Sequence, residues 1–323
     1  MTKITIRVCG DYWANPEEVR SQLDAVAGRD QITLDLQFEG PCLEILGISS
    51  MINDYCNRYQ VDPRQIQIER WDNPVEPVDY TVVAPPDISH FFDVSRRYDW
   101  NEYYPDNVHE YLFGFFIGRR TIPRAVIMHH LFHTWGSQNL LSCLDTNDDT
   151  PWLVKNTGID IESLDQWIST DAQQKFNNWW KTNPISSIDQ HHFDDQYNKD
   201  HNTNQDLLDH YHKFDIEIVA ESYTRGNSFF PTEKTVRPLI AGKPMIVYGP
   251  KNYLENLKTL GFKTYSGLWD ESYDRFEGPD RWRVMQSVID TIMQLYSEDR
   301  ASTVARAQEI AKYNQQHLYK LIK

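Results

Sequence analysis

Between residues 220 and 249 the chain reads AESYTRGNSFFPTEKTVRPLIAGKPMIVYG, a stretch that carries cations, an acid and a helix start in close succession. Arg225 supplies a planar guanidinium fork suited to phosphate oxygens. Lys234 adds a compact positive charge. Thr232 stands just before Glu233 and Lys234 at the expected start of a helix, where its hydroxyl can cap. A helix N-terminus offers unpaired amides and a partial positive charge, a ready seat for a phosphate. Glu233 is an acid beside that seat and needs another purpose. Accepting hydrogen bonds from ribose hydroxyls is the natural one, as the acidic residue of dinucleotide sites does. Tyr223 shares the loop with Arg225 and joins the candidate set. The competing structural reading is an ordinary surface pair of Glu233 with Arg237, one helical turn on.

Other groupings are weaker. His129 and His133 lie one turn apart on an expected helix, the spacing of two metal ligands, but no HExxH is present and no third ligand is evident. His191, His192, His201, His210 and His212 fall in a polar, aspartate-rich region that reads as a solvated loop. Asp145-Thr146-Asn147-Asp148-Asp149 does not follow an apolar strand, where an acidic pair holding a diphosphate-bound cation should sit. Walker A, GxGxxG and GxSxG patterns are all missing, which argues against a P-loop kinase, a dinucleotide oxidoreductase and an α/β-hydrolase. Tyr104, Trp179, Trp180 and Trp269 suit either a stacking surface or a core.

These residues need elements to hold them. Expected strands cover 3–9, 31–38, 66–71, 80–85, 111–118, 214–222, 244–249 and 262–265. Expected helices cover 16–27, opened by Asn15-Pro16, then 43–59, 123–135, a helix opening near Thr232, and 252–260. From Pro279 onward the chain reads as helix with an interruption near Asp299, while 145–210 reads as mixed helix and loop. Alternating strands and helices of this length indicate an α/β protein with mainly parallel sheets. With no internal repeat, the expectation is two Rossmann-like domains facing a cleft, 1–105 and 106–323.

The order strand, Glu221-Ser222, Thr232-Glu233-Lys234, then Ala241-Gly242-Lys243-Pro244 resembles the donor-binding motif of GT-B glycosyltransferases, and within them the α1,3-fucosyltransferase-like family. The likeness covers roughly the second half of the chain. It implies that Glu233 and Lys234 contact the ribose and phosphates of a nucleotide and that Arg225 lies on the diphosphate. That family's donor domain opens with a strand, a short polar turn and an Arg heading a helix, which here offers Gly118, Arg119 and Arg124. The resemblance implies a transferase that moves a sugar from a GDP- or UDP-linked donor to an acceptor hydroxyl, with cations and helix amides stabilising the leaving group and no metal or other cofactor required. It also places the base for the acceptor in the first domain. Acids at strand ends there are Asp11, Glu39 and Asp87, with Glu39 the first choice and Asp11 the second. The segments Leu260–Thr264 and Asp270–Asp274 resemble reading frames of phage genomes. The expected acceptor is therefore a glycan or, for a viral protein, a hydroxymethylated base in DNA. The alternative is a non-catalytic binding or host-interaction protein on a GT-B scaffold.

Bulk properties narrow the field. The formal net charge is −15, which repels nucleic acid unless a local basic groove overrides it; Arg96, Arg97, Arg119 and Arg120 are the candidates for one. A nucleotide is affected less, because one or two placed cations can hold a diphosphate. The mean hydropathy is −0.63, and no apolar run approaches the roughly 20 residues of a membrane helix. The expectation is a cytoplasmic protein, in the host cytoplasm if viral, with no membrane partner. Cys9, Cys42, Cys56 and Cys143 form no CxxC pair, so buried free thiols are expected rather than disulfides or a zinc site.

Overall fold

The computed structural model describes residues 2–8, 16–27, 32–38, 48–70, 81–83, 109–118, 121–135, 138–143, 166–167, 169–171, 174–175, 178, 207–208, 210–222, 224, 229 and 231–322. They group into two compact units, Met1–Phe91 with Ser222–Phe230, and Phe92–Glu221 with Pro231–Lys323. The boundary expected near residue 105 lies outside the described residues.

In the first unit, short β-branched and apolar runs pair as a parallel sheet. Strands β1 (Thr2–Val8), β2 (Ile32–Phe38), β3 (Ile66–Arg70) and β4 (Thr81–Val83) lie side by side in chain order, with Thr2 opposite Ile32, Ile32 opposite Ile66 and Ile68 opposite Val82. Helix α1 (Pro16–Asp24) starts on proline, whose missing N–H costs nothing at that position, and α2 is Ile48–Tyr59. The core contains Leu23, Val26, Ile32, Met51, Ile52, Tyr55 and Ile66. Asp62 caps a single 3-10 turn, Pro63–Gln65, that leads into β3.

The second unit is a parallel sheet of β5 (Tyr111–Ile117), β6 (Asn139–Cys143), β7 (Phe214–Ala220) and β8 (Met245–Tyr248), in spatial order β6-β5-β7-β8. β7 and β8 are buried along their whole length, as is all of β5 after Tyr111. That matches their near-continuous apolar sequences and a sheet covered on both faces. Helix α3 (Ile122–Trp135) follows β5, α4 (Glu233–Ala241) follows β7 and α5 (Tyr253–Thr259) follows β8. Two long helices close the chain, α6 (Gly278–Glu298) and α7 (Arg300–Ile322), broken at Asp299 as the sequence suggests. The described residues thus form an α/β protein with parallel sheets, compatible with a Rossmann-like fold.

Chain order reverses direction within this second sheet. From β5 the chain moves through α3 to β6 on one side, whereas β7 continues through α4 to β8 on the other. The switch falls between the carboxyl ends of the adjacent strands β5 and β7. Open α/β sheets bind ligands at such points.

Two local readings change. Residues 262–265, expected as a strand, form no sheet pairing. Their backbone is satisfied by side chains instead: Lys263 N donates to Asn314 Oδ1 (2.8 Å), Asn314 Nδ2 donates to Lys263 O (2.8 Å), and Tyr265 N donates to Glu271 Oε1 (2.7 Å). Asn314 on α7 thus imitates the neighbouring strand that the segment lacks. Conversely β6, NLLSC, carries too little pattern to be read as a strand from sequence and is one by virtue of its register with β5; the acidic run from Asp145 to Asp149, expected not to follow a strand, therefore comes two residues after one, and itself lies outside the described residues.

Two charged side chains on β7 are fully buried and fully engaged on the sheet's interior. Asp215 accepts from Tyr296 Oη (2.8 Å) and Arg300 Nη2 (3.0 Å) and pairs with His109 Nδ1 (2.6 Å), fixing the junction of α6 and α7 to the sheet. Glu217 accepts from Tyr211 and from Arg237 (3.4 Å). Burial, opposed by Arg237, raises the Glu217 carboxyl to about 7.

Candidate functional site

The switch point gathers five of the residues singled out from sequence. Gly118 makes the bend that ends β5. Three residues into the following helix α3 comes Arg124, 3% exposed. Its guanidinium reaches across to the end of the neighbouring strand. Nε and Nη2 donate to Ala220 O at 3.3 and 3.2 Å, and Nη2 donates to Glu221 O at 3.0 Å. Arg124 therefore clamps the start of α3 to the carboxyl end of β7.

Helix α4 begins beside it. Thr232 holds extended backbone angles (φ −93°, ψ −175°) and its hydroxyl accepts from Lys234 N at 3.3 Å, the N-cap that the sequence suggests. The far end is closed by Gly242 in the left-handed conformation, φ 62°, where a side chain would be strained. Lys234 Nζ donates to Glu233 Oε1 and also lies 3.5 Å from the Thr232 hydroxyl. Lys234 is 15% exposed and Glu233 34%, so the acid forms the outer rim and the ammonium sits behind it.

Opposing influences set these charges. Burial penalises the Glu233 carboxylate, but the Lys234 ammonium, Arg237 and the helix-end amide outweigh it and hold the acid down at about 2. Burial lowers Lys234, Glu233 and Glu221 counter it, and the like charge of Arg124 adds to the lowering. The site thus contains an acid ionised at any physiological pH and two neighbouring cations, one of them raised in energy by its surroundings. A polyanion entering here would relieve that strain.

In the sequence Glu221 is part of the motif but carries no assigned role. In the structure it is the hub of the site's interior wall. It is 1% exposed and accepts from Thr232 N (3.1 Å), Thr232 Oγ1 (2.5 Å), Thr235 Oγ1 (2.5 Å) and Tyr253 Oη (2.9 Å). The donors stand 11, 14 and 32 positions further along the chain. The signal in the sequence is an acid immediately after a buried strand, eleven positions before the cap of the next helix.

The remaining candidates, Arg225, Tyr223, Arg119, Glu39 and Asp11, lie outside the described residues, as do Tyr104, Trp179 and Trp180. Trp269 is core, stacked on Tyr265 at 4.8 Å between ring centroids. His129 and His133 have rings 4.4 Å apart on α3, and burial with the two neighbouring imidazoles drives His129 down to about 4. Among the described residues no group of three or more His, Cys, Asp or Glu is placed to hold a metal ion. No described helix is long and apolar enough to cross a membrane.

Compared with protein-family models, with curated proteins and with solved structures, the chain finds no match. The functional reading therefore rests on the site itself and on the motif that led to it.

Proposed function

We propose that this protein is a GT-B-type glycosyltransferase that takes a sugar from a nucleoside-diphosphate donor. The observation that carries the reading is the meeting of Arg124 and Lys234 with the N-terminus of α4 at the point where the second sheet reverses its chain order. Two cations and a helix dipole there suit a diphosphate, and a rim carboxylate, Glu233, suits the ribose beside it. The motif adds Arg225 and Tyr223, which follow Glu221 in the chain, and Gly118 and Arg119, which follow β5, to the donor-binding candidates.

In the reaction the acceptor oxygen bonds to the anomeric carbon. The bond from that carbon to the β-phosphate oxygen breaks, and the nucleoside diphosphate leaves with the electron pair. The acceptor proton passes to a general base, for which the sequence offers Glu39 and Asp11. Lys234 and Arg124 stabilise the charge that grows on the leaving diphosphate. The reading carries with it the two-domain GT-B architecture and a cytoplasmic setting. A net charge of −15 favours a glycan hydroxyl over a base in DNA as acceptor. Salt-sensitive retardation of hydroxymethylated DNA in a gel would reverse that preference.

A thermal-shift screen of GDP, UDP and their sugar conjugates tests the reading, because a ligand at 100 times its Kd stabilises by about 2.7 kcal/mol. One nucleotide series should raise the melting temperature of the wild type and leave that of Lys234→Ala unmoved. Lys234→Ala should also lose detectable transfer while keeping its fold. Near wild-type turnover in that variant rejects the site. The absence of a shift with every nucleotide favours a binding protein without catalytic activity.

A further inference from the structure

We propose that Glu221 is a positioning residue of this site, one that builds the anion seat of α4 without touching the ligand. The inference rests on the nucleotide reading above, and it begins with proton accounting. Thr232 has one hydroxyl hydrogen and gives it to Glu221 Oε2 at 2.5 Å. Its lone pairs are thereby left to face the other way. They accept from Lys234 N at 3.3 Å and meet Lys234 Nζ at 3.5 Å. The direction of one hydrogen bond thus decides whether the N-cap presents acceptor or donor character to Lys234.

The other carboxylate oxygen is equally committed. Thr232 N, Thr235 Oγ1 and Tyr253 Oη converge on Oε1, and Thr235 Oγ1 and Tyr253 Oη lie 2.7 Å from each other. These groups come from the cap of α4, from its first turn and from the start of α5. A buried carboxylate demands such partners, and here they saturate it. Glu221 therefore has no capacity to act as a base or to receive a ribose. What it can do is fix the pitch of the first turn of α4 against β7, and place negative charge behind Lys234. Charged groups facing Lys234 come from three elements: Glu233 on its own helix, Arg124 from α3, and Glu221 from the end of β7. Glu221 and Glu233 favour the ammonium, and Arg124 opposes it.

Glu221→Gln is the informative variant because it keeps shape and burial. The amide offers an acceptor oxygen to one side only. With that oxygen toward Thr232 N, Thr235 and Tyr253, the amide NH2 faces the Thr232 hydroxyl. The hydroxyl must then accept, and its own hydrogen turns toward Lys234. Lys234 loses both an acceptor and a nearby negative charge.

Two measurements separate the possibilities. Competitive acylation with acetic anhydride, mapped by mass spectrometry, reads the pH at which Lys234 gives up its proton and needs no ligand. Glu221→Gln should move that pH down by about one unit. Isothermal calorimetry with GDP and UDP then reads the seat. Affinity should fall about tenfold or more in Glu221→Gln, with the loss setting in at lower pH than in the wild type. Tyr253→Phe, which removes one donor and leaves the charge, should weaken binding less and keep the wild-type pH profile. Thr232→Val should bind as poorly as Glu221→Gln, and Thr232→Ser should restore affinity. Should Glu221→Gln fail to fold, the Thr232 and Tyr253 variants decide alone. Unchanged Lys234 titration in a folded Glu221→Gln, or equal affinity of Thr232→Val and wild type, overturns the assignment. Failure of the wild type to bind either nucleotide, with the Lys234 shift present, rejects the nucleotide reading and leaves the positioning role standing.

Discussion

At Glu233 the balance of forces has a consequence that can be read without any ligand. Burial disfavours the carboxylate, yet Lys234 and the helix end hold it ionised down to about 2, against about 4.5 for an ordinary glutamate. An acid depressed in the folded chain contributes stability that is fully present above its unfolded value and is lost as pH falls toward the folded one. The stability gap between wild type and Glu233→Gln should therefore be constant above about pH 5 and should narrow between about 4.5 and 2. Urea unfolding of both proteins across that range checks it, and a gap independent of pH would mean that the pair with Lys234 contributes nothing to folding. The Thr232-Glu233-Lys234 pattern was legible in the sequence because capping and helix-end charge act over three residues. Arg124 was legible from its place at the head of a helix after a buried strand. Its target was not, because the carbonyls of Ala220 and Glu221 are separated from it by 96 and 97 positions. Glu221 was hidden for the same reason, since a hub is defined by partners that only the fold assembles.

Among elements, the turn from β8 into α5 connects sheet geometry to the site. Gly249 follows β8, and a Cβ added there would stand 2.9 and 3.0 Å from Cδ2 and Cγ of Tyr253. Those atoms are the root of a ring that is wholly buried and cannot swing aside. The same ring carries the hydroxyl that donates to Glu221. Gly249→Ala should therefore cost about 1–3 kcal/mol of stability by overpacking and should also weaken nucleotide binding through Tyr253. Chemical unfolding and calorimetry on one preparation test both effects, and a loss of stability with full affinity would show that Tyr253 does not transmit to the site. The Arg281 side chain supports this corner from the other side. It is wholly buried in α6 and donates to Val247 O (3.1 Å), Pro250 O (3.1 Å) and Asp274 Oδ1 (3.0 Å), while Asp274 Oδ2 caps α5 by accepting from Leu254 N (3.0 Å). Strands and helices of ordinary length were legible because periodicity and turn residues lie within the element itself. β6 carries no expectation from sequence and the 262–265 segment departs from its expected strand because the status of each depends on what lies alongside: β5 for the first, the Asn314 amide for the second.

For the molecule as a whole, a charge of −15 and the proposed diphosphate site stand in apparent conflict. The resolution lies in where each charge sits. The negative excess acts through solvent, and its repulsion decays over a screening length of about 8 Å at physiological salt and about 3 Å at 1 M. Lys234 and Arg124 are 15% and 3% exposed, so a phosphate in contact with them is attracted over a short path from which water and ions are largely displaced. Salt should then weaken the repulsion more than the attraction. Affinity for a nucleoside diphosphate should change by no more than about threefold between 50 mM and 500 mM salt, whereas binding through exposed cations along a nucleic acid falls by about 10³ or more over a comparable range. Calorimetry with the nucleotide found in the thermal screen, at several salt concentrations, supplies the slope. A steep decline would move the binding site out of the switch point and onto exposed basic residues, because a cation sheltered behind Glu233 and held against Thr232 offers added salt little to screen.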